Sequence, residues 1–158
     1  MNHDAFKQLV AQGLAAMKAG SKVAAMATGE IQDDAHHPDL KAALEKGNQV
    51  SQQWAQRVDQ ALSEAGGSGE QKNPILEAHY EVSRTIRQQA PDDDSRDLGI
   101  IASGQLALHY WIAAFGTIHA YASQLGLSQT EQNMQASLSE AKQGDEQMTE
   151  VAKRIMNA

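Results

Sequence analysis

The sequence contains no cysteine, which excludes disulfides, thiolate catalysis and cysteine-ligated zinc or iron–sulfur centres together. It has only three prolines, so little in the chain interrupts long helices. Basic residues are in deficit. Thirteen Lys and Arg against twenty Asp and Glu give a net charge of -7, the wrong sign for nucleic acid or an anionic membrane surface. No run reaches the roughly 18 uninterrupted apolar residues of a membrane span. The opening MNHDAFKQLV lacks the apolar stretch of a signal peptide. A P-loop, a dinucleotide-binding glycine pattern and a nucleophile elbow are also missing. These absences lead to the expectation of a cytoplasmic domain that partners neither nucleic acid nor membrane.

What is present is helical periodicity. Val10, Leu14, Met17, Ser21, Ala24, Thr28 and Ile31 follow alternating steps of four and three, one face of a helix. Gly13, Gly20 and Gly29 weaken that helix, or permit close packing, or mark bends. AHHPDL (35–40) reads as a break and restart, with Pro38 in a first turn where its missing N–H costs nothing. The second seam is Leu40, Ala43, Gly47, Val50, Trp54, Val58 and Leu62, running to about Ala65. AGGSGEQKN (65–73) is a loop, and Asn73 caps a shorter helix expected to bury Ile75, His79, Val82 and Ile86. After APDDDSRD (90–97) the seam is Ile101, Gly104, Leu108, Trp111, Phe115, Ile118 and Ala122. Beyond Gly126, SQTE (128–131) has the capping-box pattern for a last helix through Met134, Leu138, Ala141, Asp145, Met148, Ala152 and Ile155. The expectation is one all-α domain over 1–158, a four-helix bundle with one additional short helix in the middle crossover.

The few aromatics are concentrated. Four of the seven lie in LALHYWIAAFGTIHAY (106–121), beside His109 and His119. Ten residues separate the two histidines, about 80° around a helix and about 15 Å along it, so they cannot share one ion. A second stripe on this helix, Leu106, Tyr110, Ala113, Thr117 and Tyr121, suits the short helix or a dimer interface, since a tyrosine ring can keep one end wet. His36-His37 reads as solvated loop, His79 as a hydrogen-bonded core histidine. The DDD run (92–94) lacks the spacing of a calcium loop. Asp145 is the anomaly. It occupies a seam position where a lone carboxylate is expensive, and it marks either solvent contact or a polar pocket near Ser21 and the Trp54 indole.

LHYWIAAFGTIHAYASQLG (108–126) resembles a helix of the bacterial YciE/YciF family of ferritin-like proteins. PDLKAALEKGNQVSQQWAQRVDQAL (38–62) and LSEAKQGDEQMTEVA (138–152) resemble its second and last helices, and GLAAMKAGSK (13–22) is a weaker match to its first. The resemblance implies a ferritin-like bundle, commonly dimeric and associated with stress, in which carboxylates and histidine hold two metal ions. Carried over by position, the family's ligand sites fall at Ser21, Val50, Trp54, Leu108, Trp111, Ala141 and Asp145. Only Asp145 keeps a carboxylate, with Glu140 a substitute if the register slips by one. The reading that follows is a metal-free structural or interaction protein, without cofactor and homodimeric. The alternative is a small-molecule site or cofactor-free enzyme lined by Ser21, Val50, Trp54, Leu108, Trp111 and Phe115, with Asp145 as its polar group. A residual iron or manganese oxidase on Asp145 and Glu140 comes last. Cavity volume separates the first two readings.

Overall fold

Helices begin where a side chain can meet the free amides of a first turn. In the computed structural model, which describes residues 2–69 and 71–157, five helices do so in different ways. They are α1 (His3–Asp34), α2 (Pro38–Glu64), α3 (Pro74–Gln89), α4 (Asp93–Leu125) and α5 (Ser128–Met156). Asn2 caps α1, the His37 ring α2, Asn73 α3 and Asp92 α4, each accepting from an amide within three residues. The capping box expected for α5 does not form, because Ser128 is already helical and Leu127 has no side-chain acceptor. Glu64, at the end of α2, replaces it. Its carboxylate accepts from the Thr130 amide at 2.6 Å, the Thr130 hydroxyl at 2.7 Å and the Gln129 amide at 3.3 Å. Partial burial works to raise the Glu64 carboxyl, but these hydrogen bonds outweigh it and hold the group below its ordinary value.

Around the bundle, α1 packs on α2 and α4, and α5 packs on the same two helices. The short α3 lies along α1 and α4. Asp97, fully buried on the first turns of α4, accepts from the backbone amides of His36 (2.8 Å) and His37 (2.6 Å). The starts of α2 and α4 therefore lie at one end of the molecule, and α3 carries the chain back between them. This is the ferritin-like four-helix bundle with its middle crossover. By length and composition α4 is apolar enough to cross a membrane; here it is the wall shared by α1, α3 and α5.

The short helix is rotated from its expected orientation. Ile75, Val82 and Ile86 are exposed, while Leu76, Ser83 and Arg87 are buried. Polar anchors set this rotation. Arg87, whose side chain is 3% exposed, donates to Asp34 Oδ2 (2.7 Å), Glu30 Oε1 (3.0 Å) and Ser83 Oγ (2.8 Å). At the other end Asn73 Nδ2 donates to the Ala16 carbonyl (2.9 Å) and the Tyr110 hydroxyl (2.7 Å). Both anchors sit on one side of α3, and a buried guanidinium or amide left unpaired costs more than three exposed aliphatic side chains.

Gly20 is what lets Asn73 approach α1. A Cβ there would lie 2.6 Å from Asn73 Nδ2 and 2.8 Å from Leu76 Cδ1, whereas one at Gly29 would meet nothing within 4 Å. The two glycines should therefore respond oppositely to alanine. Gly29→Ala should stabilise by about 0.5–1 kcal/mol through helix propensity. Gly20→Ala should destabilise by about 1–3 kcal/mol, since overpacking displaces a locked amide. Urea unfolding of both variants checks the pair of signs.

Candidate functional site

Trp54 on α2 and Trp111 and Phe115 on α4 meet in the bundle interior. Trp111 and Phe115 stack with centroids 5.3 Å apart, and Trp54 sits edge-on to Phe115 at 5.2 Å. A buried indole N–H needs an acceptor. Glu140 on α5 supplies it, with Oε2 2.8 Å from Trp54 Nε1. The carboxylate in turn needs a cation, and Arg57, one turn along from Trp54, grips it with two nitrogens at 2.6 and 3.1 Å. Arg57 also donates to the buried Ser137 hydroxyl at 3.2 Å. Burial pushes the Glu140 carboxyl up, but the Arg57 and Trp54 hydrogen bonds prevail and lower it.

Beside this clamp the interior is hollow. A cavity of about 190 Å³ lies between the Trp54–Trp111–Phe115 core and a second core built on Leu40, Ile101 and Val151. Val50, Trp54, Ala107, Leu108 and Trp111 form much of its apolar wall. Lys46, Gly47, Gln143 and Gln147 are its exposed rim. Tyr80 of α3 also lines it, and lines an adjoining hollow of about 110 Å³ between α1, α2, α3 and α4. Burial alone pushes the Tyr80 phenol up to about 12.

The seven residues expected at an interior pocket divide. Val50, Trp54, Leu108 and Trp111 line the cavity. Ser21 donates its hydroxyl to the Met17 carbonyl within its own helix (3.1 Å), and Phe115 is sealed behind the indoles with no exposed surface. Asp145 is not the carboxylate at the indole; Glu140 is. Five residues further along α5, Asp145 points about 140° away around the helix. Its Oδ2 is 3.3 Å from His109 Nε2, and its Oδ1 is buried without a hydrogen-bond partner. Of the second stripe, Leu106 and Thr117 are exposed. Tyr110 is engaged by Asn73, and Tyr121 packs edge-on against Phe6 at 5.1 Å.

Three further histidines, His37, His79 and His119, have partners of their own. The His37 ring accepts from the Asp39 amide at 3.2 Å, and His119 Nδ1 lies 3.2 Å from the Glu131 carbonyl. Burial lowers His79, partly offset by a hydrogen bond with the Ser103 backbone. Among the described residues, no three His, Asp or Glu side chains converge to hold a metal ion. Val50, Trp54, Leu108, Trp111 and Ala141 offer no ligand atoms, so the donor set does not fit a dinuclear carboxylate centre. Tyr80 and Arg57 were not singled out from the sequence. Tyr80 lies in the 76–80–83–87 series, a signal masked by the more apolar 75–82–86 series.

The fold and the interior together define a ferritin-like bundle whose centre is apolar. Over residues 3–158 the chain matches the family described as Domain of unknown function (DUF892), and it belongs to that YciF-type family. It is 26% identical over 142 residues to protein YciF of Escherichia coli (strain K12), covering 89% of this chain and 81% of the relative. The solved structure of the E. coli stress protein YciF superimposes with a TM-score of 0.91 at 21% identity, covering 96% of this chain and 97% of that one. YcfI from Rhodopseudomonas palustris gives 0.86 at 22% identity, covering 91% and 92%.

Two stability predictions follow from the buried polar groups. The unfolded Tyr80 phenol ionises near 10 and the folded one near 12. Its contribution is therefore complete below pH 10 and is lost as pH rises toward 12. Tyr80→Phe should flatten that alkaline limb, read by urea unfolding between pH 8 and pH 11.5. For Asp145, the orphaned oxygen costs about 1–3 kcal/mol while its pair with an exposed histidine returns about 0–1 kcal/mol. Asp145→Leu should raise stability by about 1 kcal/mol, measured at one pH by the same method.

Proposed function

We propose that this chain is a metal-free ferritin-like bundle serving as a structural or interaction protein in bacterial stress physiology, as a cytoplasmic homodimer and not as an enzyme. The stress association follows the E. coli stress protein YciF, and a structural role agrees with YcfI, put forward as a structural protein. The metal-free reading is supported by the apolar side chains at the family's ligand positions.

The observation that carries an interaction role is an uncovered apolar face. Ile75 (67% exposed) and Val82 (58%) on α3 adjoin α4, where Leu106 is 66% exposed. Ala102, Ala113, Thr117 and Ala120 continue the strip along α4. Large apolar side chains left exposed on two helices that pack together suit a contact site. A second copy suits it on charge grounds. The chain carries a net charge of -7, yet no Asp, Glu, Lys or Arg occurs between positions 98 and 130. Two copies approaching through α4 therefore meet the least repulsion the molecule offers.

Light scattering of untagged protein at micromolar concentration should give twice the 17.1 kDa chain mass. Leu106→Glu should give a monomer with unchanged circular dichroism. Elemental analysis of the same sample, purified without chelators, should find iron and manganese well below one equivalent. A monomeric parent removes the dimer, and stoichiometric metal removes the metal-free reading.

A further inference from the structure

The cavity beside the Trp54–Glu140–Arg57 clamp has a wall chemistry that selects a kind of occupant. Val50, Ala107, Leu108 and Trp111 give a wall with no side-chain hydrogen-bonding group except the indole of Trp111. Water needs two to four polar partners to settle in such a place. Two indoles supply flat apolar surface. The charges nearest the interior cancel, because Glu140 is held at both oxygens by Arg57. A charged guest would be desolvated against these apolar side chains, and the cation at the mouth, Lys46, is exposed and screened by solvent.

Among the polar groups on the walls, that of Tyr80 lies where the two hollows adjoin. The Tyr80 hydroxyl makes no hydrogen bond to another described residue, although the ring is largely buried and lines both hollows. The hydroxyl is accessible from the hollows and open to a hydrogen bond from a guest. The volume agrees with a small guest. An apolar hole of about 150 Å³ in another protein stays dry and accepts benzene. The cavity here measures about 190 Å³, with the second hollow of about 110 Å³ beyond Tyr80 for a short substituent.

We infer that this cavity is a binding site for a neutral, flat molecule of about one aromatic ring bearing a single hydrogen-bonding group, which seats its ring against Trp54 and Trp111 and its polar group at the Tyr80 hydroxyl. The rim between α2 and α5, at Gly47 and Gln143, is the entrance. The site uses a different side of α4 from the uncovered strip, so binding and dimerisation are tested separately.

The test uses the full chain labelled with nitrogen-15, because its only two tryptophans both line the cavity and each gives an indole N–H signal. Benzyl alcohol and toluene are the neutral probes; benzoate and benzylammonium are their charged counterparts. Both indole signals should shift saturably with the neutral probes and stay in place with the charged ones. Ala107→Leu, which fills the cavity from α4, should abolish the shifts without lowering the melting temperature. Ala43→Leu fills it from α2 and takes its place if the first variant does not fold. Tyr80→Phe should weaken benzyl alcohol by about three- to tenfold, the size of one hydrogen bond, and leave toluene unchanged. Unmoved indole signals with both neutral probes overturn the inference, as do shifts that survive cavity filling. Equal binding of benzoate overturns the neutral class, and an unaffected Tyr80→Phe overturns the role of the hydroxyl.

Discussion

The indole N–H of Trp54 must have an acceptor inside the bundle, and the arrangement of the interior follows from how it gets one. The acceptor is a carboxylate, so a cation has to accompany it, and Arg57 arrives on the same helix face as the tryptophan. The clamp ties α2 to α5 and fixes the plane of one indole. Trp111 and Phe115 then pack against a ring that cannot turn. Removing Glu140 alone would leave both the indole and the guanidinium without their acceptor, so these three residues act as a unit.

That rigidity explains why the interior is not packed shut. Apolar side chains line this part of the interior, yet they do not fill the space. The core divides into two clusters, and Leu108 touches both. Each long seam includes positions that are only half-buried or exposed, such as Ser21, Gly47, Gly104 and Asp145. The hollow opens between α2 and α5 through an exposed rim, a cleft and not a sealed void. The Trp54 indole, held by its hydrogen bond to Glu140, cannot collapse into it, and the glycines and alanines around it have no reach.

The bundle was legible because a three-four periodicity has one structural meaning over thirty residues. Helix starts at Pro38 and Pro74 and the stop at Gly126 were legible because each rests on local backbone chemistry. The misreadings share a cause: the deciding partner was far away in sequence. Glu64 caps a helix that begins 64 residues later, displacing a capping box that was locally sound. Arg87 turned α3 because its partners, Glu30 and Asp34, lie on α1. Asp145 attracted notice as a seam carboxylate, but the indole's partner was the off-seam Glu140, a choice made by the rotation of α5 against α2. A cavity leaves no local mark at all, since volume is what four helices fail to share.

Asp97 has a consequence for how the molecule assembles. The turn joining α1 to α2 does not satisfy its own amides. Those of His36 and His37 are met by a carboxylate 60 and 61 residues further along. A helical hairpin ordinarily closes with nearby contacts and can form early and alone. This one is finished only when the start of α4 arrives, which couples the bend to a helix outside the hairpin. The α1–α2 hairpin cut from the rest would carry two unanswered amides at its bend. The bend between α1 and α2 thereby depends on α4, although every helix in the molecule could be drawn from local sequence.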